Sequence, residues 1–146
     1  MAKALGQTRE DEYRDGLAKL TKNLSGNVGL LFTSRSPVDV EDFFANFVRM
    51  DFSRAGSVAT HDFVVPAGIV YSRGGEVPVE DDVPMAHSME TAVRSLNMPT
   101  RLVGGKVMLD QEYVVCRKGE VLDSRKTRLL KLFGTGMAEF AVKLIA

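Results

Sequence analysis

The chain has 146 residues, 45% of them hydrophobic, with a formal net charge of zero and one cysteine, Cys116. That length supports a core in one domain or two small lobes, and a mean hydropathy of -0.05 describes a globular chain. An internal disulfide is excluded, a reducing compartment (cytosol or nucleus) is favoured, and no apolar run approaches the roughly 20 residues that span a bilayer.

The opening Met-Ala-Lys-Ala-Leu-Gly lacks the basic-then-apolar pattern of a secretory signal. Thr8 then reads as the N-cap of a helix with acids in its first turn. Tyr13, Leu17, Leu20 and Leu24 give it one apolar stripe, and Ser25-Gly26-Asn27 ends it. Val28-Gly-Leu-Leu-Phe32 is a short continuous apolar run, the pattern of a strand buried on both faces. Ser36-Pro37 announces a second helix, a cap followed by proline at the first helical position. Val40, Phe43, Phe44, Phe47 and Val48 are its expected buried face. The segment Met50–Gly56 leaves that helix in a loop, where Arg54 near Gly56 allows close backbone approach.

Asp62-Phe-Val-Val-Pro66 reads as a strand closed by proline, which cannot donate to a sheet ladder. Residues 67–84, with Gly68, Gly74, Gly75, Pro78, Pro84 and Glu80-Asp81-Asp82, predict an exposed, flexible excursion. A short helix follows over 88–97, stopped by Pro99. The strongest local signal is Gly104-Gly105 between two runs rich in branched residues. A tight two-residue hairpin turn needs positive φ at its centre, which glycine adopts without a Cβ clash. Leu102, Val107 and Leu109 fit a strand period of two. Tyr113–Cys116 is another strand, turned by Arg117-Lys118-Gly119. Asp123 or Ser124 caps a helix running to Phe133, with stripe Leu129, Leu132 and Phe133, and with Arg125, Lys126, Arg128 and Lys131 outside. Residues 139–145 read as a final strand.

Charge is unevenly spread. Residues 57–116 carry eight acids against four bases, whereas residues 117–146 carry seven bases against three acids. A basic end can face a nucleic acid, because phosphate neutralisation needs clustered bases rather than net charge. Catalytic patterns are missing. His61 and His87 stand in neither metal-ligand nor helical-pair spacing, no Gly-x-Ser-x-Gly elbow presents a nucleophile, and Arg73-Gly-Gly lacks the Gly-Lys-Ser/Thr of a phosphate loop. No catalytic residue, metal or cofactor is expected.

Ala4-Leu-Gly6, Asp11-Glu-Tyr13, Gly26–Thr33 and Asp51–Gly56 together resemble the stalk-base ribosomal protein superfamily, which includes P-zero. Pro84–Glu90, Pro99-Thr-Arg101, Tyr113–Cys116, Gly119–Leu122 and Leu129–Gly134 resemble more specifically the mRNA turnover protein 4 family, nuclear ribosome assembly factors paralogous to P-zero. The segment Ile69–Gly75, with the acids after it, looks like that family's version of the loop.

The resemblance implies a mixed α/β fold. A discontinuous α/β body lobe, 1–58 with 121–146, would hold a small inserted α/β lobe, 59–120, built on the β-hairpin. Family members carry a basic arm and a strand-helix unit upstream of Ala-Leu-Gly, so the chain is expected to lack much of the body lobe. It is also expected to lack the acidic stalk tail.

The function so implied is that of a non-enzymatic factor binding stalk-base rRNA of the large-subunit precursor as a placeholder for P-zero. Lys3 and Arg54 carry over as RNA-binding residues from the motifs, and Lys22 and Arg49 join them on charge alone. Expected partners are the rRNA, pre-ribosomal proteins and the neighbouring stalk-base ribosomal protein, with no membrane and no small-molecule substrate. Nucleolus and nucleus, with passage to the cytoplasm, would be its locations. The alternative is a protein-interaction module docking another assembly or translation factor through the inserted lobe, by the acidic 76–82 loop and the hairpin edge.

Overall fold

The computed structural model describes residues 1–145. The fold is mixed α/β and divides into two compact units, Arg49–Phe140 and a smaller one of Met1–Val48 with the chain from Ala141 on.

The smaller unit carries three helices, α1 (Ala2–Leu5), α2 (Leu17–Thr21) and α3 (Pro37–Asn46). The single helix expected from Thr8 to Leu24 does not form. Asp11 accepts from both the amide and the hydroxyl of Thr8, at 2.6 and 2.7 Å, so Thr8 closes a turn as a donor instead of capping a helix. Glu12 accepts from the amides of Gly16 and Ala18, which places the helix start at residue 17. Tyr13, expected on the apolar stripe, is exposed. The strand expected over 28–32 is likewise not formed, and Leu31 and Phe32 are exposed. A strand needs a partner to take its amides and carbonyls, and no strand pairs with this run among the described residues. The α3 start is as expected: Ser36 Oγ accepts from Asp39 N at 3.2 Å, with Pro37 following. Its apolar face is only half covered. Phe43, Phe44 and Phe47 pack on one another with centroids 5.1–6.1 Å apart, yet Phe43 stays exposed.

In the larger unit the chain runs β1 (Val48–Asp51), β2 (Phe63–Val65), β3 (Gly68–Ile69), α4 (Glu90–Ser95), β4 (Thr100–Val103) and β5 (Lys106–Leu109). It continues through β6 (Tyr113–Cys116), α5 (Ser124–Leu132) and β7 (Ala138–Ala141). The sheets are small: β1 with β7, β2 antiparallel to β6, and β3-β5-β4. The hairpin is formed as expected. Gly104 and Gly105 have φ of 56° and 78°, and Leu102 faces Val107 across the pair. Central β5 buries Val107 and Leu109, while Leu102 on edge strand β4 stays half exposed.

One core joins Phe63, Val65, Val70, Val93, Met98, Val107, Leu109 and Val115 to Leu122, Leu129, Leu130, Phe133 and Met137. Helix α5, expected in the body lobe, therefore shares its core with the strands of the expected insert. Leu130, absent from the predicted stripe, is as buried as Leu129.

The excursion over 67–84 is docked. Tyr71 bridges Pro84, and Ser72 N donates to Val83 O at 2.8 Å. Asp82 accepts from Ser72 Oγ at 2.5 Å and from the amides of Arg73 and Val83 at 2.8 Å each. Burial pushes its carboxyl up, but those three bonds and the Arg73 charge more than reverse this and hold it below the ordinary carboxylate value. Glu76 accepts from Thr135 Oγ1 at 2.9 Å and lies 3.5 Å from His61 Nε2. The Arg73 guanidinium rests against Gly134, where the carbonyls at the end of α5 favour a cation.

Candidate nucleic-acid interface

Lys3 is exposed in α1, and Lys22 is exposed at the C-cap of α2. Both belong to the smaller unit, whereas Arg49, in β1, and Arg54 belong to the larger one, so the four expected RNA-binding residues divide between the two units.

Arg54 sits on a braced turn. Its carbonyl accepts from Ser57 N at 3.0 Å and Ser57 Oγ at 2.5 Å. Gly56 N donates to Leu122 O, and Leu122 N to Ser57 O, each at 2.8 Å, with Val58 bridging Val121. The Arg54 turn is thus stitched to the residue just before the Asp123 cap of α5. Ser53, next to Arg54, is buried, and its hydroxyl finds no partner among the described residues. Gly136 approaches from the other side: a Cβ there would stand 3.0 Å from Asp51 O.

Helix α5 is electrostatically lopsided. Asp123 Oδ1 accepts from the amides of Arg125 and Lys126 at 2.8 Å each, and its other oxygen lies 3.6 Å from Arg125 Nη2. These bonds, the Lys126 amide foremost, hold the Asp123 carboxyl below its ordinary value. Glu120 pairs with Lys126 and also accepts from Arg117 N at 3.1 Å, which lowers its carboxyl in the same way. Arg117 itself pairs with Asp62. The second half of the helix differs. Arg128 and Lys131 are exposed and have no acidic partner among the described residues, and neither has Arg54.

Lys131 Nζ lies 5.8 Å from the ring centroid of Phe52, which is 39% exposed. Lys131 and Arg128 also line a shallow depression completed by Ala92, Ser95, Leu96 and Leu132. The sequence reading placed these two bases outside the α5 stripe but did not join them to Phe52, because nothing local links positions so far apart.

Among the described residues no three His, Cys, Asp or Glu side chains converge as metal ligands, and no helix is long and apolar enough to cross a membrane. Cys116 is buried, and that burial pushes its thiol up, away from the reactive thiolate. The arrangement offers cations, one exposed ring and hydrogen-bonded turns: equipment for binding.

Residues 53–135 match the family model RL10P, described as an insertion domain in a 60S ribosomal protein. That stretch lies within the larger unit and is wider at both ends than the insert expected over 59–120. The chain is 56% identical to the ribosome assembly factor mrt4 of Neurospora crassa over 99% of its length, covering 60% of that relative. It is 54% identical to the mrt4 of Schizosaccharomyces pombe, with the same two coverages. Similarity to the large ribosomal subunit protein uL10 of Thermococcus sibiricus is lower, 27% identity over 98% of this chain and 39% of that one. The chain therefore spans about 60% of the length of the assembly factors it matches.

Proposed function

The chain belongs to the RL10P ribosomal-protein family, together with the Mrt4 ribosome assembly factors and uL10, and we propose that it acts as a non-enzymatic assembly factor of the large ribosomal subunit. It binds the stalk-base rRNA of a nuclear or nucleolar precursor particle and holds the place later taken by the stalk protein P-zero, with passage to the cytoplasm before exchange. The observation that carries this reading is the match of 53–135 to the RL10P insertion domain inside a chain that resembles assembly factors almost end to end.

Recognition is of folded RNA, through shape and phosphate contacts and not a linear code. Lys3, Lys22, Arg49 and Arg54 are its proposed phosphate contacts. The division into body parts and an inserted lobe belongs to the same proposal. It is supported by the placement of 53–135 within the unit Arg49–Phe140.

The test is co-sedimentation of the tagged chain with ribosomal particles. Association with large-subunit precursors, and its displacement by added P-zero protein, is the expected result. Equal association with mature subunits that already hold P-zero contradicts a placeholder.

A second reading has its own observation. The docked loop presents Val79 and Val83, 57% and 66% exposed, on either side of Glu80 and Asp81. An acidic, apolar-tipped loop repels RNA and suits a basic protein neighbour. A pre-ribosomal protein, such as the neighbouring stalk-base ribosomal protein, would dock there. Deleting 76–82 while RNA binding survives, with loss of that protein partner, is the outcome that favours this role.

A further inference from the structure

We propose that Phe52, Arg128 and Lys131 form a receptor for a single unstacked nucleotide of bound RNA, the base on the Phe52 ring and the phosphate on the two cations. The inference rests on the RNA-binding reading and adds a subsite that the family match does not assign.

Three observations converge on it. The Phe52 ring is 39% exposed instead of being drawn into the core, and the cation that reaches it, Lys131, stands 5.8 Å from its centroid, the outer limit of a cation–π contact. So loose a contact on a flexible four-carbon stem yields easily: Lys131 can swing to a phosphate and leave the ring face to a base. Charge is the second observation. Arg125 and Lys126, one turn earlier on α5, are matched by Asp123 and Glu120, whereas Arg128 and Lys131 have no acid near them among the described residues. A solvated helix face of alternating charge would pair the second set like the first. Helix-end complementarity accounts for Lys131, in the last turn, but not for Arg128. The third is shape. The depression that Arg128 and Lys131 rim is floored by Ala92, Leu96 and Leu132, with Ser95 at its side. An apolar floor under a cationic rim suits the sugar and base edge of a nucleotide better than it suits a bare ion.

The nearest acid in sequence, Asp51, is occupied: its carboxylate accepts from Phe52 N at 2.7 Å. That bond, with Gly136 packed against Asp51, fixes the backbone from which the ring projects. RNA bases splayed from loops and bulges are commonly recognised by stacking on aromatic side chains, a sequence-tolerant contact.

The experiment compares the full chain with Phe52→Leu, Arg128→Gln and Lys131→Gln, each first shown to melt with the parent. Affinity is measured across a salt series for a stalk-base rRNA fragment, an unrelated hairpin, and a short oligouridylate whose 4-thiouridine reports cross-linking. Phe52→Leu should weaken both stalk-base and oligouridylate binding by about 10-fold without changing the salt slope, and should abolish the cross-link at position 52. Each cation variant should flatten the slope by about one unit. Stalk-base binding that all three substitutions leave within about two-fold, with unchanged slopes, overturns the receptor and leaves the assembly reading standing. Equal binding to both structured RNAs, with a Phe52-dependent cross-link to oligouridylate, would do the reverse. Binding to none of the three overturns both.

Discussion

Gly74 lies so close beneath Phe133 that a Cβ on it would stand 3.0 Å from that ring and 2.7 Å from the tip of Phe63. The two rings are packed on each other with centroids 5.5 Å apart and are themselves almost fully buried, so neither can withdraw. Gly74 also holds φ +61°. Replacing it by alanine combines left-handed strain with overpacking and should cost about 2–4 kcal/mol. Gly134, at φ +73°, meets only the end of the flexible Arg73 side chain. Gly134→Ala should therefore cost less, about 1–2 kcal/mol. Chemical denaturation of the two variants checks the order, and equal losses would contradict the docking of the 71–84 loop on α5.

Asp82 makes that docking pH-dependent. Its carboxyl is held below the ordinary value in the fold, and an unfolded aspartate titrates near about 3.9. The stabilisation is therefore complete above about pH 4 and is lost as pH falls through the folded-state value. Asp82→Asn should cost about 1–2 kcal/mol at neutral pH, where it weakens bonds from Ser72, Arg73 and Val83. Denaturation curves of parent and variant should converge as pH drops below about 4. A gap that stays constant down to about pH 2 would assign the loss to something other than the charged carboxylate.

At the hairpin, open space surrounds Gly104, so only its φ of 56° constrains a replacement. Asparagine tolerates this region and should be neutral within about 0.5 kcal/mol, whereas valine should cost about 1–2 kcal/mol. Thermal melting of the pair distinguishes them.

Arg54 projects from a turn held at both ends by hydrogen bonds, and its side chain has no acidic partner among the described residues. Arg54→Ala should leave the melting temperature unchanged while weakening stalk-base RNA binding and reducing the salt slope by about one unit. An unchanged slope removes Arg54 from the interface.

Features set by neighbours in sequence were legible there. The Gly104-Gly105 turn, the Ser36-Pro37 start of α3 and the Asp123 cap of α5 are local chemistry, and each appears in the structure. Strands β2 and β6 were also visible as branched runs. The helix read over 8–24 failed because Asp11 and Glu12 spend their carboxylates on backbone amides nearby, which periodicity does not register. The apolar run at 28–32 has strand composition, but a strand exists only where another strand meets it. The 71–84 loop looked mobile from its glycines, because its anchors, Thr135 to Glu76 and Gly134 to Arg73, lie some 60 residues on. The candidate site shares that limit. Arg54 could be named from a motif, but the contact between Phe52 and Lys131 belongs to the fold.

The most direct measurement is the affinity of this chain for a stalk-base rRNA fragment and for an unrelated hairpin of equal length, each across a salt series. The account predicts tighter binding to the stalk-base fragment at every salt concentration, with an affinity that falls steeply as salt rises. Equal affinity for both RNAs, or binding to neither, would contradict the claim that these residues recognise the stalk base.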